Sequence, residues 1–284
     1  MKYTPFYHKN TLNFGGQLKD LSSPLVMGIL NLTPDSFYSG SRVTQDKLID
    51  KVSPMIEAGV DIIDIGGYSS RPGAADIEEQ VELDRVIPAI ESINKHFGDT
   101  ILSIDTFRSN VAKQAVFAGA QLINDITGGQ ADTEMFSTLA KLQVPYVLMH
   151  MRGTPRTMQS KTEYQNLIGD LFTFFSEKIE ELNLLGVHDI IIDPGFGFSK
   201  TIEQNFYLLQ HLNEFTTLNA PILAGLSRKS FIYKTLGIEA DMAKTGSTVV
   251  NTIALEQGVK ILRVHDVNEA KELIKLFTFM QKEK

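Results

Sequence analysis

The chain has 284 residues, of which 43% are hydrophobic and 21% are charged, so it can bury a full core and does not have the composition of a disordered protein. Its formal net charge of -7 argues against nucleic acid as a partner, because binding many phosphates requires a basic surface. The sequence has no cysteine, which excludes disulfides and thiolate metal sites, and no apolar run approaching the roughly 18 residues of a membrane span, so we expect a cytoplasmic protein without a membrane partner.

The first predicted element is a β-hairpin over residues 9–20, because Gly15 and Gly16 separate two short runs of alternating polarity. Eight short apolar runs follow and predict strands. These runs begin near Leu25, Asp61, Leu102, Leu122, Tyr146, Ile190, Ile222 and Ile261.

Helical patterns lie between the predicted strands, with apolar residues three and four positions apart. The clearest cover residues 77–97, 109–118, 164–185, 202–212, 240–256 and 267–282. Pro54 and Pro88 fall inside such patterns and are expected to kink or split those helices.

This alternation predicts an α/β fold of right-handed βαβ units on a parallel sheet, and eight units in about 250 residues is the size of a (β/α)8 TIM barrel. We expect one domain over residues 1–284, with the hairpin in residues 1–22 capping the barrel's N-terminal end. An open doubly wound sheet is the alternative.

Polar residues stand at the end of every predicted strand. In a barrel all eight carboxyl ends face one mouth, where the catalytic residues of this fold lie. The alternative for any one of them is a turn or helix-capping role, which asparagine and aspartate often fill. The strand-end groups are Asn31, Asp64, Asp105, Asn124 with Asp125, His150, Asp193, the segment 227–230 (SRKS) and the segment 263–266 (RVHD).

Three of the loops after strands carry chemical signals. Residues 31–37 (NLTPDSF) and 64–73 (DIGGYSSRPG) bring hydroxyl groups and an arginine together, which suits an anionic ligand. Residues 193–200 (DPGFGFSK) present two phenylalanines that can hold an aromatic substrate, although a plain strand-to-helix turn is the alternative interpretation.

Together these segments resemble the dihydropteroate synthase family, and the resemblance spans nearly the whole chain. It implies two small-molecule substrates, p-aminobenzoate and 6-hydroxymethyl-7,8-dihydropterin pyrophosphate, which condense to 7,8-dihydropteroate and pyrophosphate with the help of Mg2+. It also implies sulfonamide inhibition. An apolar face expected on the last helix leads us to predict a homodimer.

The resemblance implies a role for each matching position. The metal ligand is Asn31. The catalytic set is Asn31, Arg71, Lys229, Arg263 and His265. The residues that bind the pterin are Asp64, Asp105, Asn124, Met149, Asp193, Gly225, Lys229 and Arg263. The residues that bind p-aminobenzoate are Phe37, Ser70, Arg71, Pro72, Phe198 and Ser230.

The chemistry of the pterin ring agrees with this set, since its guanidine-like edge suits a carboxylate and a mixed donor and acceptor edge suits an amide. The sequence departs from the family pattern at Tyr38, Ser39, Tyr68 and Ser199. Two alternatives remain, namely a pterin-binding methyltransferase domain and a catalytically silent pterin-binding paralogue.

Overall fold

A computed structural model describes residues 10–32, 42–69 and 76–281 of the chain. Strands β1 (Thr11–Phe14) and β2 (Gln17–Asp20) pair antiparallel, with Thr11 opposite Asp20. Gly15 and Gly16 form the turn with positive φ angles of 59° and 97°, a conformation that glycine adopts without steric penalty.

A parallel eight-stranded sheet follows the hairpin, in the order β8-β7-β6-β5-β4-β3-β10-β9. A parallel bridge between Ile192 and Ile222 joins its two edges, so the predicted barrel is confirmed. Each strand begins within one residue of its predicted start. The strands are β3 (Leu25–Asn31), β4 (Ile62–Gly66), β5 (Ile101–Asp105), β6 (Leu122–Asp125), β7 (Tyr146–Met149), β8 (Ile190–Asp193), β9 (Leu223–Ala224) and β10 (Ile261–Val264).

Helices pack around the outside of the barrel. They are α1 (Arg42–Glu57), α2 (Glu79–His96), α3 (Ser109–Ala118), α4 (Met135–Leu142), α5 (Leu167–Leu184), α6 (Ile202–Gln210), α7 (Ser230–Leu236), α8 (Lys244–Glu256) and α9 (Val267–Gln281). In the part of the chain that the structure describes, no helix is long and apolar enough to cross a membrane.

Of the two expected effects of the prolines, kinking or splitting, splitting is wrong, because α1 runs through Pro54 and α2 runs through Pro88. Both prolines lie on exposed faces, and so do Asp50 and Asp84, the residues four positions earlier. The carbonyl that each proline leaves without an intrahelical donor is therefore on the side of the helix that faces water.

The barrel interior is built in layers, because alternate residues of each strand point inward. The lowest layer is apolar and contains one or two residues from every strand, such as Met27, Ile62 and Ile261, together with Leu12 and Phe14 of the hairpin. These side chains close the N-terminal end of the barrel. Two residues further along, the inward position is polar on five of the eight strands, and these positions lie toward the carboxyl ends. The five residues are Asp64, Ser103, Asn124, Asp193 and Arg263.

Candidate active site

Asp64 lies at the centre of the polar layer and is fully buried. Its Oδ1 accepts a hydrogen bond from Ser103 Oγ at 2.6 Å, and its Oδ2 accepts from Asn124 Nδ2 at 2.9 Å and from Arg263 Nε at 2.6 Å. The sequence interpretation placed Asp64 at a strand end, which is wrong, since β4 continues to Gly66. Asp64 therefore supports the site from beneath.

Arg263 joins two carboxylates. Besides its bond to Asp64, its Nη2 donates to Asp105 Oδ2 at 2.6 Å. Asp105 ends β5 beside Asn124, its partner in register on β6. Burial raises the pKa of Asp105 to about 7, although the Arg263 guanidinium opposes this shift. One guanidinium thus neutralises two inward-facing acids, and Asp105 is the acid nearer the mouth.

Asp193 forms the opposite side of the polar layer. Its Oδ1 accepts from the backbone N–H of Gly195 at 2.8 Å, and a side chain added at Gly225 would begin 4.0 Å from its Oδ2. Gly225 thus leaves space over this oxygen. Burial raises the pKa of Asp193, while the Gly195 N–H and the cation of Lys229 favour its charged form. Met149, paired with Asp193 in register, is 2% exposed.

The loop after β8 meets the loop after β9 at the barrel mouth. The Lys229 ammonium lies 4.2 Å from the centre of the Phe198 ring, within the range of a cation–π contact. Burial lowers the pKa of Lys229 to about 8, with the positive charge of Arg263 acting in the same direction. Ser230 follows as the first residue of α7. The neighbouring Arg228 instead forms an ion pair with Asp266 at 2.6 Å.

Asn31 and His265 lie nearest the open end. Asn31 ends β3 opposite Gly66, where a Cβ atom would lie 3.4 Å from Asn31 Oδ1 and 3.7 Å from Asp105 Oδ2. Asn31 and Asp105 therefore approach the same small space. His265 follows β10, is exposed, and donates its backbone N–H to Ser227 Oγ at 3.2 Å.

The structure brings most of the predicted site residues to one mouth. These residues are Asn31, Asp64, Asp105, Asn124, Met149, Asp193, Phe198, Gly225, Lys229, Ser230, Arg263 and His265. The remaining predicted residues lie outside the described part of the chain, and they are Phe37, Ser70, Arg71 and Pro72.

The described residues contain no group of three histidine, aspartate or glutamate side chains that could hold a metal ion. Asp64 and Asp105 are engaged by Arg263. Asn31 Oδ1 is a neutral oxygen donor at the exposed end of β3. Such a donor fits Mg2+, which commonly takes one or two protein ligands and completes its shell with substrate phosphates and water.

Sequence reasoning assigned no role to two polar residues of the site. Ser103 stands two residues before Asp105, so it points into the barrel, and this spacing was the available signal. Lys200 closes the loop after Asp193, and its ammonium is buried beside His150. No local sequence pattern indicates this contact, because it joins residues 50 positions apart.

Comparison with known proteins agrees with this geometry. Residues 27–265 match a family described as pterin binding enzyme. Dihydropteroate synthase of Haemophilus influenzae is 43% identical over 261 residues, covering 91% of this chain and 94% of the relative.

Solved structures of the same kind superimpose over almost the whole chain. Dihydropteroate synthase of Yersinia pestis in complex with a sulfonamide drug matches with a TM-score of 0.89 and 40% identity, covering 96% of this chain and 100% of that one. The Xanthomonas albilineans enzyme with 4-aminobenzoic acid matches with a TM-score of 0.88 and 36% identity, covering 96% and 98%. On the barrel, its polar mouth and these matches, the chain belongs to the dihydropteroate synthase family.

Proposed function

We propose that this chain condenses p-aminobenzoate with 6-hydroxymethyl-7,8-dihydropterin pyrophosphate to give 7,8-dihydropteroate and pyrophosphate. The observation that carries the proposal is the polar layer inside the barrel, where Asp105, Asn124 and Asp193 lie above an apolar floor. Two carboxyl groups and one amide inside one pocket select a ligand whose polar edges match theirs, because a ligand without those edges leaves hydrogen bonds unmade.

The pterin is proposed to bind in this layer. The Oδ2 side of Asp193, beside the open space at Gly225, would accept hydrogen bonds from the guanidine-like edge of the ring. Asp105, Asn124, Lys229 and Arg263 would meet the other polar edges, with Met149 against the ring face and Asp64 holding Arg263 and Asn124 in position.

The remaining residues are proposed to hold the other substrate and the leaving group. p-Aminobenzoate would lie against Phe198 and Ser230 and contact the loop residues Phe37, Ser70, Arg71 and Pro72. Asn31, Arg71, Arg263 and His265 would stabilise the pyrophosphate.

Bond breaking is proposed to precede attack. The bond between the methylene carbon and the pyrophosphate oxygen breaks, and its electron pair leaves with the pyrophosphate. The arylamine lone pair then forms the new C–N bond with the pterin cation, and the nitrogen loses a proton. The protein's contribution is to position the two substrates and to neutralise the leaving charge.

Mg2+ is the proposed cofactor, held on the protein side by Asn31. When bound, it would supply positive charge to the pyrophosphate oxygens. Asn31 Oδ1 would contribute one ligand, in keeping with its position beside Asp105 at the mouth.

Removal of the metal is expected to stop turnover, and Asn31→Ala is expected to raise the Mg2+ concentration needed for half-maximal rate by about tenfold. The physical reason is the loss of an oxygen ligand, which affects the metal more than the pterin. Rates measured across a Mg2+ titration, with pterin affinity measured in parallel, check this expectation. Full activity in excess chelator would contradict it.

The pH profile is expected to fall on its alkaline side. The pKa of Lys229 is lowered by burial to about 8, so its charge is lost above that pH, and kcat/KM for the pterin substrate should decrease there. An arginine keeps its charge to higher pH, so in Lys229→Arg the decrease in kcat/KM should occur at a higher pH, even if the maximal rate is lower. If kcat/KM decreases at the same pH in Lys229→Arg as in the wild type, the decrease belongs to another titrating group.

Turnover of pterin pyrophosphate with p-aminobenzoate, measured by pyrophosphate release, tests the proposed function. Pterin binding without pyrophosphate release would indicate a silent pterin-binding protein. Methyl transfer that depends on a corrinoid partner would indicate a methyltransferase domain. Either outcome would overturn the proposal.

A homodimer and a single domain over residues 1–284 are also proposed. Exposed apolar side chains occur on the packed helices α8 and α9, namely Val249, Ile253, Leu276, Phe279 and Met280, and a second copy would cover them. A solution mass about twice the 31.6 kDa of one chain would support this assembly. The hairpin within residues 1–22 would serve as the cap of the domain, given its packing on the barrel floor.

A further inference from the structure

Lys200 is a buried lysine beside the candidate active site, and it has no part in the proposed chemistry. The residue is only 4% exposed. Its Nζ lies 3.1 Å from the carbonyl oxygen of Gly195, 3.2 Å from that of Phe198 and 3.3 Å from Nδ1 of His150. Two of these neighbours are carbonyl acceptors, and Nδ1 accepts when the imidazole is neutral with its proton on Nε2.

The three acceptors match the three N–H donors of a lysine ammonium. Burial, followed by the positive charge of Lys200, lowers the pKa of His150 well below its usual value, which favours a neutral imidazole, and the Nε2–H tautomer of that ring has Nδ1 free to accept from Lys200. Burial also lowers the pKa of Lys200 to about 7, while the negative charge of Asp193 opposes this shift. A neutral amine would have only two N–H donors for the three acceptors.

The loop that Lys200 contacts has an unfavourable backbone. Ser199 has a φ angle of +47°, a conformation in which a non-glycine residue is strained. Gly195 lies so close to the backbone of His150 that a Cβ atom at position 195 would be 2.1 Å from the His150 carbonyl oxygen. Side chains hold this loop, because Asn205 Oδ1 accepts the N–H of Gly197 at 2.7 Å and Lys200 binds two carbonyls.

The same loop carries groups that the proposed function places against the substrates. Phe198 lies beneath the Lys229 ammonium, and Gly197 packs on the Lys229 stem, with a distance of 3.2 Å from the position of a Cβ to Lys229 Cδ. Asp193, at the start of the loop, accepts the Gly195 N–H through Oδ1. A shift of the Gly195 and Phe198 carbonyls would therefore move groups on both sides of the mouth.

We propose that Lys200 is a positioning residue, which joins His150 at the end of β7 to the carbonyls of the loop after β8 and thereby sets the positions of Phe198 and Lys229. This inference rests on the proposed function, since it takes Phe198 and Lys229 as substrate contacts. Lys200 itself touches no reacting atom.

The test compares Lys200→Met, which keeps the length of the side chain without its donors, with Thr201→Ala. Thr201 is the next residue and caps α6 through its side chain, so its loss destabilises the same region without touching the two loop carbonyls. For Lys200→Met we expect kcat/KM for p-aminobenzoate to fall roughly 10- to 100-fold, mainly through KM, with a similar unfolding midpoint in both variants.

A chemical rescue separates the ammonium from the bulk of the side chain. The chain has no cysteine, so Lys200→Cys introduces a single thiol. Alkylation of the unfolded variant with 2-bromoethylamine, followed by refolding, installs an ammonium at the length of lysine, whereas alkylation with bromoethane installs an apolar group. Recovery of KM with the first reagent and not the second is the expected result.

Two results would overturn the inference. One is a KM that stays within twofold of wild type in Lys200→Met, with only the fraction of active protein reduced, as in Thr201→Ala. The other is equal recovery with both alkylating reagents. If Lys200→Met does not fold, Lys200→Gln, which keeps an amide donor, replaces it with the same criteria. Failure of the proposed function would appear separately, as absence of turnover in the wild-type protein.

Discussion

Asp193→Asn is expected to weaken pterin binding by about 2 to 4 kcal/mol, or roughly 30- to 1000-fold, while leaving the fold intact. The asparagine Oδ1 can still accept the Gly195 N–H that now bonds to Asp193 at 2.8 Å. The variant loses the charged oxygen beside Gly225, and an amide nitrogen placed there would face the donor edge of the ring.

Calorimetry with a pterin ligand measures this loss, and the urea midpoint reports the fold. Asp241→Asn is a matched control, because it makes the same substitution at a side chain that is 96% exposed and is not part of the proposed pterin site. Unchanged pterin affinity in Asp193→Asn would remove Asp193 from the pterin site.

Arg263→Met is expected to destabilise the protein by about 3 to 5 kcal/mol, because it leaves the fully buried Asp64 and the largely buried Asp105 without their common cation. Arg228→Met is the matched control. Arg228 pairs with Asp266 and with the exposed Asp241, and neither acid is fully buried as Asp64 is, so a smaller loss of stability is expected from Arg228→Met.

The loss of folding stability caused by Arg263→Met should grow as the pH rises. The pKa of Asp105 in the folded protein is about 7, above its ordinary 3.8, so the folded state holds a proton that the unfolded state releases. Stability from this group is therefore present at low pH and decreases as the pH rises toward 7. Without Arg263 the pKa of Asp105 rises further, which extends the decrease to higher pH. Urea unfolding of the wild type and of Arg263→Met at pH 5 and pH 8 measures this difference in stability. An equal difference at both pH values would contradict the expectation.

The strands were predictable from sequence because a barrel strand is buried on both sides and forms a short, continuous apolar run. Runs such as Ile62–Gly66 and Ile190–Asp193 stand out for this reason. Two helices had no comparable signal. Helix α7 (Ser230–Leu236) has seven residues and α4 (Met135–Leu142) has eight, so neither displays more than about two turns of periodicity.

The side chains of the mouth were predictable as a set, but their partners were not. Strand ends placed Asp105, Asn124 and Asp193 together, since the topology of a barrel brings them to one face. The role of Asp64 required knowledge of which cation would meet it, and that cation, Arg263, is 199 residues further along the chain. Contacts between residues so far apart in the sequence depend on strand register and on side-chain rotamers, which no local sequence pattern encodes.

The bond from Arg263 to Asp64 spans 199 residues and the bond to Asp105 spans 158, whereas the hairpin and neighbouring strands pair over short separations. During synthesis the two acids emerge well before the arginine that neutralises them. Contacts of such high order form late and slowly, after the entropy of closing a long loop has been overcome. The pterin layer is therefore incomplete until β10 docks between β3 and β9. A folding intermediate that lacks this last docking step should have native-like strands and no affinity for pterin.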